Sequence, residues 1–499
     1  MKESDQSRFD ALVEWSRRHS GSLHPSLEIY HDDVTKFSLR VKPSVGGGLT
    51  APHKAVTCPV STTLSYLNAL VDGPLNVASP LKQQDAAFPE RFMQSCPPHV
   101  IGRFFLIKEY LKGKDSFWWP YIATLPQPEH VKDWALPAFW PEADIANLEG
   151  TNARVAIEEI QENVSQEFRH ARRALKHGDY RGWQDYHQIL YKWAFCIFTS
   201  RSFRPSLVLS ESAKQHVSGL LPEGSQLDDF SILQPVFDIA NHSMTARYTW
   251  DVTSDPSCCQ LICGDSYKPG DQVYNNYGLK TNSELLLGYG FILPETEELH
   301  NDYVHVRKRQ QHQDGGDGGG DAPKPQDFLI SLRPINHPSS LVGRSRPSSS
   351  SSFPSRLSTL PGFAHFEPAL VDDLTSALAT PEETRLLQRW NDKALLSSST
   401  TDPADSAAAP PPPPELAGLV GRVKGMLAGK LQYDYQRLVV AVQEEGEEEE
   451  SDEEVEREAR PPAASRNQML AFEYRGRCKN VLLAAMRDLN VAPFVLGEE

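Results

Sequence analysis

Apolar and polar residues alternate along several short stretches of the chain. The alternation is clear at residues 27–30, 37–41, 248–252 and 259–263, and turn-forming residues separate these stretches, as in the Lys-Pro-Gly-Asp sequence at 268–271. A period of two places successive side chains on opposite faces of a strand. The pattern therefore predicts short β-strands joined by tight turns.

A different period governs the region from about residue 64 to residue 203. There apolar residues recur at spacings of three and four, which is the pattern of one face of a helix, at Ile157, Ile160, Val164, Phe168, Ala171 and Leu175. Residues 183–198 form a second such run, and a short amphipathic helix is predicted before the first strand. The two patterns together predict an α+β protein.

The part of the chain after residue 291 is predicted to be helical. Helical spacing is found at 369–379, 381–394, 416–442 and 467–489. Between these runs lie segments rich in Gly and Asp, in Ser and Pro, or in Glu, which we expect to be disordered insertions at about 311–326, 345–356, 397–415 and 444–465. Such segments cannot bury enough apolar area to offset the entropy lost on ordering.

Charge is unevenly distributed in this 499-residue chain. The formal net charge is -16, and the acidic run at 444–458 contains eleven Asp and Glu residues against one Arg. The rest of the chain is only mildly acidic, which argues against naked nucleic acid as the main partner. The acidic run is either a solvated insertion or a tether for a basic substrate.

The cysteines and the N-terminus suggest a reducing compartment. The seven cysteines are scattered and form no C-x-x-C pair, so neither a disulfide framework nor a metal site is predicted, and Cys258, Cys259 and Cys263 are expected to be buried strand thiols. The charged first residues do not resemble a signal peptide, and no apolar run reaches the roughly 18 residues of a membrane span. We therefore expect a cytoplasmic or nuclear protein with no membrane partner.

Two sequence motifs stand out between residues 237 and 291. Residues 238–243 read DIANHS, and residues 274–291 read YNNYGLKTNSELLLGYGF. With GGGLTA at 46–51, and further pieces in the same order at 116–122, 125–126, 148–151 and 200–203, the chain resembles the SET-domain methyltransferases. The resemblance is to the branch that contains the Rubisco large-subunit and ribosomal-protein lysine methyltransferases and the actin-histidine methyltransferase.

This resemblance implies a domain organisation. Residues 1–22 would be a lead-in helix, and residues 23–291 a SET-type β fold with a knot-like crossing, split by a helical insertion at about 64–205. Residues 292–499 would form an all-α C-terminal domain similar to the substrate-binding domain of that branch. A monomer is expected.

The resemblance also implies the roles of individual residues. Tyr277 would be the catalytic residue, Phe291 would contact the substrate, and the cofactor S-adenosylmethionine would be bound by Gly48, Leu49, Arg201, Asp238, Asn241, His242 and Tyr289. Purely structural roles also remain open, such as a helix-dipole partner for Arg201, a turn or cap for Asp238, a structural hydrogen bond for His242 and core packing for Tyr289 and Phe291.

The expected chemistry is methyl transfer from a sulfonium to a nitrogen atom. A lysine must first lose its proton, because the pKa of a free amine is about 10.4, and a narrow apolar channel beside a cation lowers that pKa. The substrate would be a lysine of a non-histone protein such as a ribosomal protein. Two alternatives remain open: methylation of a protein histidine, and a catalytically silent SET scaffold that binds a partner protein.

Overall fold

A computed structural model of the chain describes residues 3–75, 86–308, 327–341, 356–398, 412–447 and 464–494. These residues divide into two compact units. The first unit comprises Met1–Phe139 and Glu159–Gly278, and the second comprises Trp140–Glu158 and Leu279–Glu499. This division differs from the predicted boundary at residue 291, because it assigns 279–291 and 140–158 to the second unit.

The strands of the first unit form two antiparallel sheets and a separate strand pair. Their bounds are β1 Ser22–Leu23, β2 Leu27–Asp32, β3 Lys36–Val41, β4 His53–Pro59, β5 Ser202–Phe203, β6 Ile232–Leu233, β7 Tyr248–Asp251, β8 Cys258–Cys263 and β9 Gln272–Val273. One sheet has the order β1-β4-β8-β7 and the other β2-β3-β9, while β5 pairs with β6. The strands predicted from alternation are all present.

Helices fill the interval between β4 and β5 in the described residues, as the spacing of apolar residues predicts. The helices up to β8 are α1 Glu3–Arg18, α2 Tyr66–Ala69, α3 Glu90–Ser95, α4 Pro98–Lys112, α5 Trp119–Ile122, α6 Val131–Trp134, α7 Glu142–Ala146, α8 Asn152–His177, α9 Gln188–Arg201, α10 Pro205–Val208 and α11 Glu211–Ser218. Large side chains such as Trp118, Trp193 and Phe105 are fully buried in the core of the first unit. Their burial removes apolar surface from water and holds the helices against the sheets.

The second unit is mainly helical, but it is not all-α. It contains α12 Asn282–Tyr289, α13 Pro368–Leu378, α14 Pro381–Ser398, α15 Ala417–Glu447 and α16 Arg466–Leu489, together with an antiparallel pair of strands, β10 Tyr303–Arg307 and β11 Asp327–Ser331. The prediction of an all-α C-terminal part is therefore wrong. The two strands are separated by a long glycine-rich segment, so the short turn that signals a hairpin in a sequence is missing.

Most of each predicted disordered insertion lies outside the described residues. The last two predicted insertions begin within helices, because α14 continues to Ser398 and α15 continues to Glu447. Glutamate is a good helix former, which accounts for the extension of α15 into the acidic run. Ser465 caps α16 by accepting a hydrogen bond from the Gln468 amide.

The cysteines are buried free thiols, and those of β8 confirm the prediction of strand thiols. Burial raises the pKa of Cys259 and of Cys263 to about 12, so both are protonated at neutral pH. In the part of the chain that the structure describes, none of the helices is long and apolar enough to cross a membrane.

Candidate functional site

The two motifs of the first unit lie side by side. The Asn275 amide donates to the Asn241 carbonyl at 2.8 Å, and the Ser243 amide donates to the Asn275 carbonyl at 2.9 Å, which makes a parallel bridge between His242 and Asn275. Asn275 is fully buried. Two stretches that are more than thirty residues apart in the sequence are thereby fixed against each other.

His242 and Tyr277 form the centre of this arrangement. The Tyr277 amide donates to Nδ1 of His242 at 3.0 Å, and the two rings stack with centroids 5.0 Å apart at 17°. Because Nδ1 accepts this hydrogen bond, a neutral His242 carries its proton on Nε2. The imidazole therefore positions the backbone of Tyr277.

The hydroxyl of Tyr277 is held by the DIANHS segment, which also contains His242. It donates to the Ala240 carbonyl at 3.1 Å, and the residue is half-buried. Backbone and side chain of Tyr277 thus both contact the DIANHS segment.

Arg201 and Asp238 form an ion pair next to this centre. Arg201 is the last residue of α9, and its Nη1 lies 3.4 Å from Oδ2 of Asp238, which also accepts a 2.9 Å hydrogen bond from the Tyr121 hydroxyl. Burial raises the pKa of Asp238, and the effects of Arg201 and Tyr121, which lower it, offset this only in part. The Arg201 side chain is 31% exposed, whereas the Asp238 side chain is almost completely buried.

Asn241 has a structural role in this arrangement. Its side-chain amide donates to the Ser38 hydroxyl of β3 and, at 3.3 Å, to Oε1 of Gln272 in β9. Ser38 is fully buried. The Asn241 side chain thus ties the DIANHS segment to the β2-β3-β9 sheet.

The glycine turn before β4 lies against Tyr267. The Leu49 amide donates to the Tyr267 carbonyl at 2.8 Å, and the Tyr267 amide donates back to the Leu49 carbonyl at 2.9 Å. Gly48 has a φ of +73°, and a Cβ on it would lie 2.2 Å from the Tyr267 oxygen, so glycine is required. A Cβ on Gly46 or Gly47 would meet no atom of the described residues within 4 Å, so that side of the turn is open to them.

The remaining predicted residues, Tyr289 and Phe291, belong to the second unit. Both are half-buried, and their ring centroids are 6.2 Å apart. The structure thus brings together Arg201, Asp238, Asn241, His242 and Tyr277 in one cluster, and it places Gly48 and Leu49 against Tyr267.

Sequence reasoning missed several residues of the cluster. The Tyr121 hydroxyl, Ser38, Gln272 and Asn275 each hold a predicted residue in place. Tyr121 and Asn275 lie within the motifs at 116–122 and 274–291, so a signal for them existed. Ser38 and Gln272 lie in strands, and only the folded sheet shows that they meet Asn241.

A cavity of about 160 Å³ lies elsewhere in the first unit. Its walls include Arg103 and His99 of α4, Phe198 of α9 and Ser231, and none of the predicted site residues lines it. The guanidinium of Arg103 is already paired with Glu167 at 2.6 Å. The cavity and the cluster around Tyr277 therefore share no lining residue.

Comparison with known proteins gives consistent relatives, although no family model matches the chain. The chain is 30% identical to the ribosomal lysine N-methyltransferase set10 of Schizosaccharomyces pombe over 58% of its own length and 46% of the relative. It is 24% identical to the protein-lysine N-methyltransferase EFM1 of Saccharomyces cerevisiae over 57% and 50%, and 22% identical to an actin-histidine N-methyltransferase of Xenopus tropicalis over 57% and 43%. The chain spans about half the length of these curated relatives.

Solved structures show the same fold. A structure of Rubisco LSMT bound to AdoMet matches with a TM-score of 0.58 at 16% identity, over 97% of this chain and 91% of that one. The SET domain of LSMT bound to lysine and AdoHcy matches with a TM-score of 0.59 at 15% identity, over 98% and 92%. In sequence and in fold, the chain therefore resembles the SET-domain protein methyltransferases of the branch that contains the Rubisco large-subunit and ribosomal-protein lysine methyltransferases.

Proposed function

We propose that the protein is a S-adenosylmethionine-dependent protein N-methyltransferase that modifies a lysine of a non-histone protein, such as a ribosomal protein. The observation that carries this proposal is the meeting of Arg201, Asp238, His242 and Tyr277 in one cluster. A ribosomal lysine methyltransferase among the relatives supports it, as do the AdoMet and the lysine that the matching structures hold.

The residues present suit this cofactor. Among the described residues, the side chain of Arg201 donates one hydrogen bond, to Asp238, so most of its five N–H donors remain available to a carboxylate such as that of S-adenosylmethionine. The open side of the glycine turn at Gly46 and Gly47 leaves backbone accessible to a ligand. When bound, the cofactor supplies an electrophilic methyl group on a sulfonium.

The contribution of the chain itself is alignment and the exclusion of water. An amine nucleophile must be neutral and in line with the methyl group, and little covalent chemistry falls to the protein. Tyr277 is fixed at its amide by His242 and at its hydroxyl by Ala240, so its phenol has a defined position. We assign to it the orientation of the substrate nitrogen.

The finer features of the family are part of the proposal. The parallel bridge between His242 and Asn275 supports a knot-like crossing of these segments. Tyr289 would contact the cofactor and Phe291 the substrate, and the helices of the second unit would bind the substrate protein. A monomeric state, a cytoplasmic or nuclear location and the lack of nucleic-acid and membrane partners are proposed from the sequence.

Methylation of a protein histidine is the second candidate. The similarity to an actin-histidine N-methyltransferase favours it, and imidazole, with a pKa of about 6.5, needs less help in losing a proton. A catalytically silent scaffold is disfavoured, because a protein without activity has no reason to keep the cluster of Asn241, His242 and Tyr277.

Calorimetric titration with S-adenosylmethionine tests the proposal. The wild-type protein should bind the cofactor, and Arg201→Gln should bind it at least about tenfold more weakly, because a charged donor pair is lost. Arg201→Lys, which keeps the charge but not the planar fork, should give an intermediate affinity.

The matched control is Arg169→Gln, which alters an exposed arginine of α8 and should bind like the wild type. Thermal unfolding of each variant checks that it is folded. Absence of any binding heat for the folded wild-type protein would falsify the proposal.

A further inference from the structure

The side chain of Asn282 closes the segment that carries Tyr289 and Phe291. Its Nδ2 donates to the Leu293 carbonyl at 3.0 Å, and its Oδ1 accepts from the Leu293 amide at 2.8 Å. Both polar atoms of one amide side chain thus pair with the backbone of a residue eleven positions later. Asn282 is 1% exposed, so these hydrogen bonds are shielded from water.

Asn282 is itself held by an ion pair between the buried Asp302 and the half-buried Arg477. Its Nδ2 lies 2.6 Å from Oδ1 of Asp302, and Nη1 of Arg477 lies 3.1 Å from Oδ2 of the same carboxylate. Arg477, in α16, also donates to the Leu293 carbonyl at 3.0 Å. We call Asn282, Asp302 and Arg477 the Asn282 network.

The network fixes the two ends of a short unit of chain. Asn282 is the first residue of α12 and Tyr289 the last, Gly290 follows with a φ of +72°, and Phe291 comes next. The Gly290 carbonyl also accepts a weak 3.4 Å hydrogen bond from Arg466 at the start of α16. With residues 282 and 293 tied together, the network restrains the backbone segment that carries Tyr289 and Phe291.

We propose that Asn282, Asp302 and Arg477 are positioning residues for methyl transfer, which hold Tyr289 and Phe291 in the geometry that binds cofactor and substrate. This inference rests on the proposed function. Residues that support a binding side chain through buried hydrogen bonds control its placement, and a loosened support weakens binding. Within the second unit, the C-terminal helix α16 thereby contributes through Arg477 to the placement of Tyr289 and Phe291.

The test exploits the contact between Asn282 and Asp302. Asn282→Asp removes the donor and places two carboxylates against each other. At pH 8 the KM for S-adenosylmethionine should rise at least about tenfold, while kcat changes much less. The defect should shrink as the pH is lowered to 6, because two carboxyl groups in contact retain a proton and regain a donor.

A double variant distinguishes positioning from general destabilisation. Asn282→Asp combined with Asp302→Asn exchanges amide and carboxylate across the 2.6 Å contact, so the KM should fall back towards the wild-type value and lose its pH dependence. The matched control is Asn147→Asp, another buried asparagine of the second unit, whose Nδ2 donates to the Ala143 carbonyl at 2.7 Å. It should lower the melting temperature and leave the KM unchanged.

Hydrogen exchange of the amides at 289–293 gives a readout independent of activity. Exchange should be faster in Asn282→Asp than in the wild type, and slower again in the double variant. Unchanged exchange and unchanged KM in a folded Asn282→Asp protein would overturn the inference. If that variant does not fold, the same two measurements on the milder Arg477→Gln variant decide. A wild-type protein that transfers no methyl group would refute the proposed function, and the exchange data would still decide on the network.

Discussion

The stacked pair of His242 and Tyr277 shows how one side chain can fix the backbone of another residue of the cluster. Nδ1 of His242 accepts a hydrogen bond from the amide of Tyr277, which is half-buried and is followed by Gly278. Because a buried amide left unpaired costs about 1–3 kcal/mol, this hydrogen bond favours one placement of Tyr277. The sequence motif identifies both residues, whereas the partners of Asn241 follow only from the fold.

His300 gives a pH prediction for a single residue. It is fully buried, and burial together with the nearby Arg333 lowers its pKa to about 4, below the value near 6.5 of an unfolded chain. The unfolded state therefore binds protons more readily, and stability is lost as the pH falls below about 6.5. The loss should reach about 2 kcal/mol at pH 5.

Thermal unfolding at pH 7 and pH 5 measures this effect. His300→Gln cannot take up that proton, so its melting temperature should fall less between the two pH values than that of the wild type. Equal losses in the two proteins would show that other groups account for the acid sensitivity.

Individual elements follow local signals in the sequence, and the exceptions have identifiable causes. The alternating stretches form β2, β3, β7 and β8, while α12 lies in the part of the chain assigned to the SET-type β fold, beyond its helical insertion, where no helix is predicted. A capping box marks its start, since the Thr281 hydroxyl accepts from the Glu284 amide and the Glu284 side chain accepts from the Thr281 amide. The T-x-x-E spacing is visible in the sequence and is a signal for this helix.

The glycine turn before β4 gives a prediction for one such element. Gly48→Ala should lower the free energy of unfolding by about 2–4 kcal/mol, because it combines a left-handed backbone with a clash against the Tyr267 carbonyl. Gly47→Ala is the matched control. Its φ is also positive, at +83°, but a Cβ there meets no atom within 4 Å in the part of the chain that the structure describes, so a loss of about 1 kcal/mol is expected.

Urea unfolding measures both substitutions. An equal loss of stability in the two variants would mean that the close approach of Gly48 to Tyr267 has no energetic consequence.

The motifs recognised in the sequence are divided between the two units. The cluster around Tyr277 lies in the first unit, and Tyr289 and Phe291 lie in the second. The α+β class could be predicted from periodicity, and the resemblance to SET-domain proteins from ordered motifs. The pairing of β10 with β11 could not be predicted from the sequence, because pairing across a long insertion leaves no local pattern. The assignment of residues 279–291 to the second unit depends on contacts made far along the chain, such as the hydrogen bond from Arg466 to the Gly290 carbonyl.

The decisive experiment for the methyltransferase assignment is the transfer of a labelled methyl group from S-adenosylmethionine to proteins of a cell extract, with mass spectrometry to locate the label. We predict label on a lysine side chain with the wild-type protein and with Tyr180→Phe, which alters a tyrosine outside the cluster. At least about a hundredfold less label is expected with Tyr277→Phe, because alignment of the nitrogen is lost. Unchanged incorporation with Tyr277→Phe, or no incorporation with the wild-type protein, would contradict the assignment.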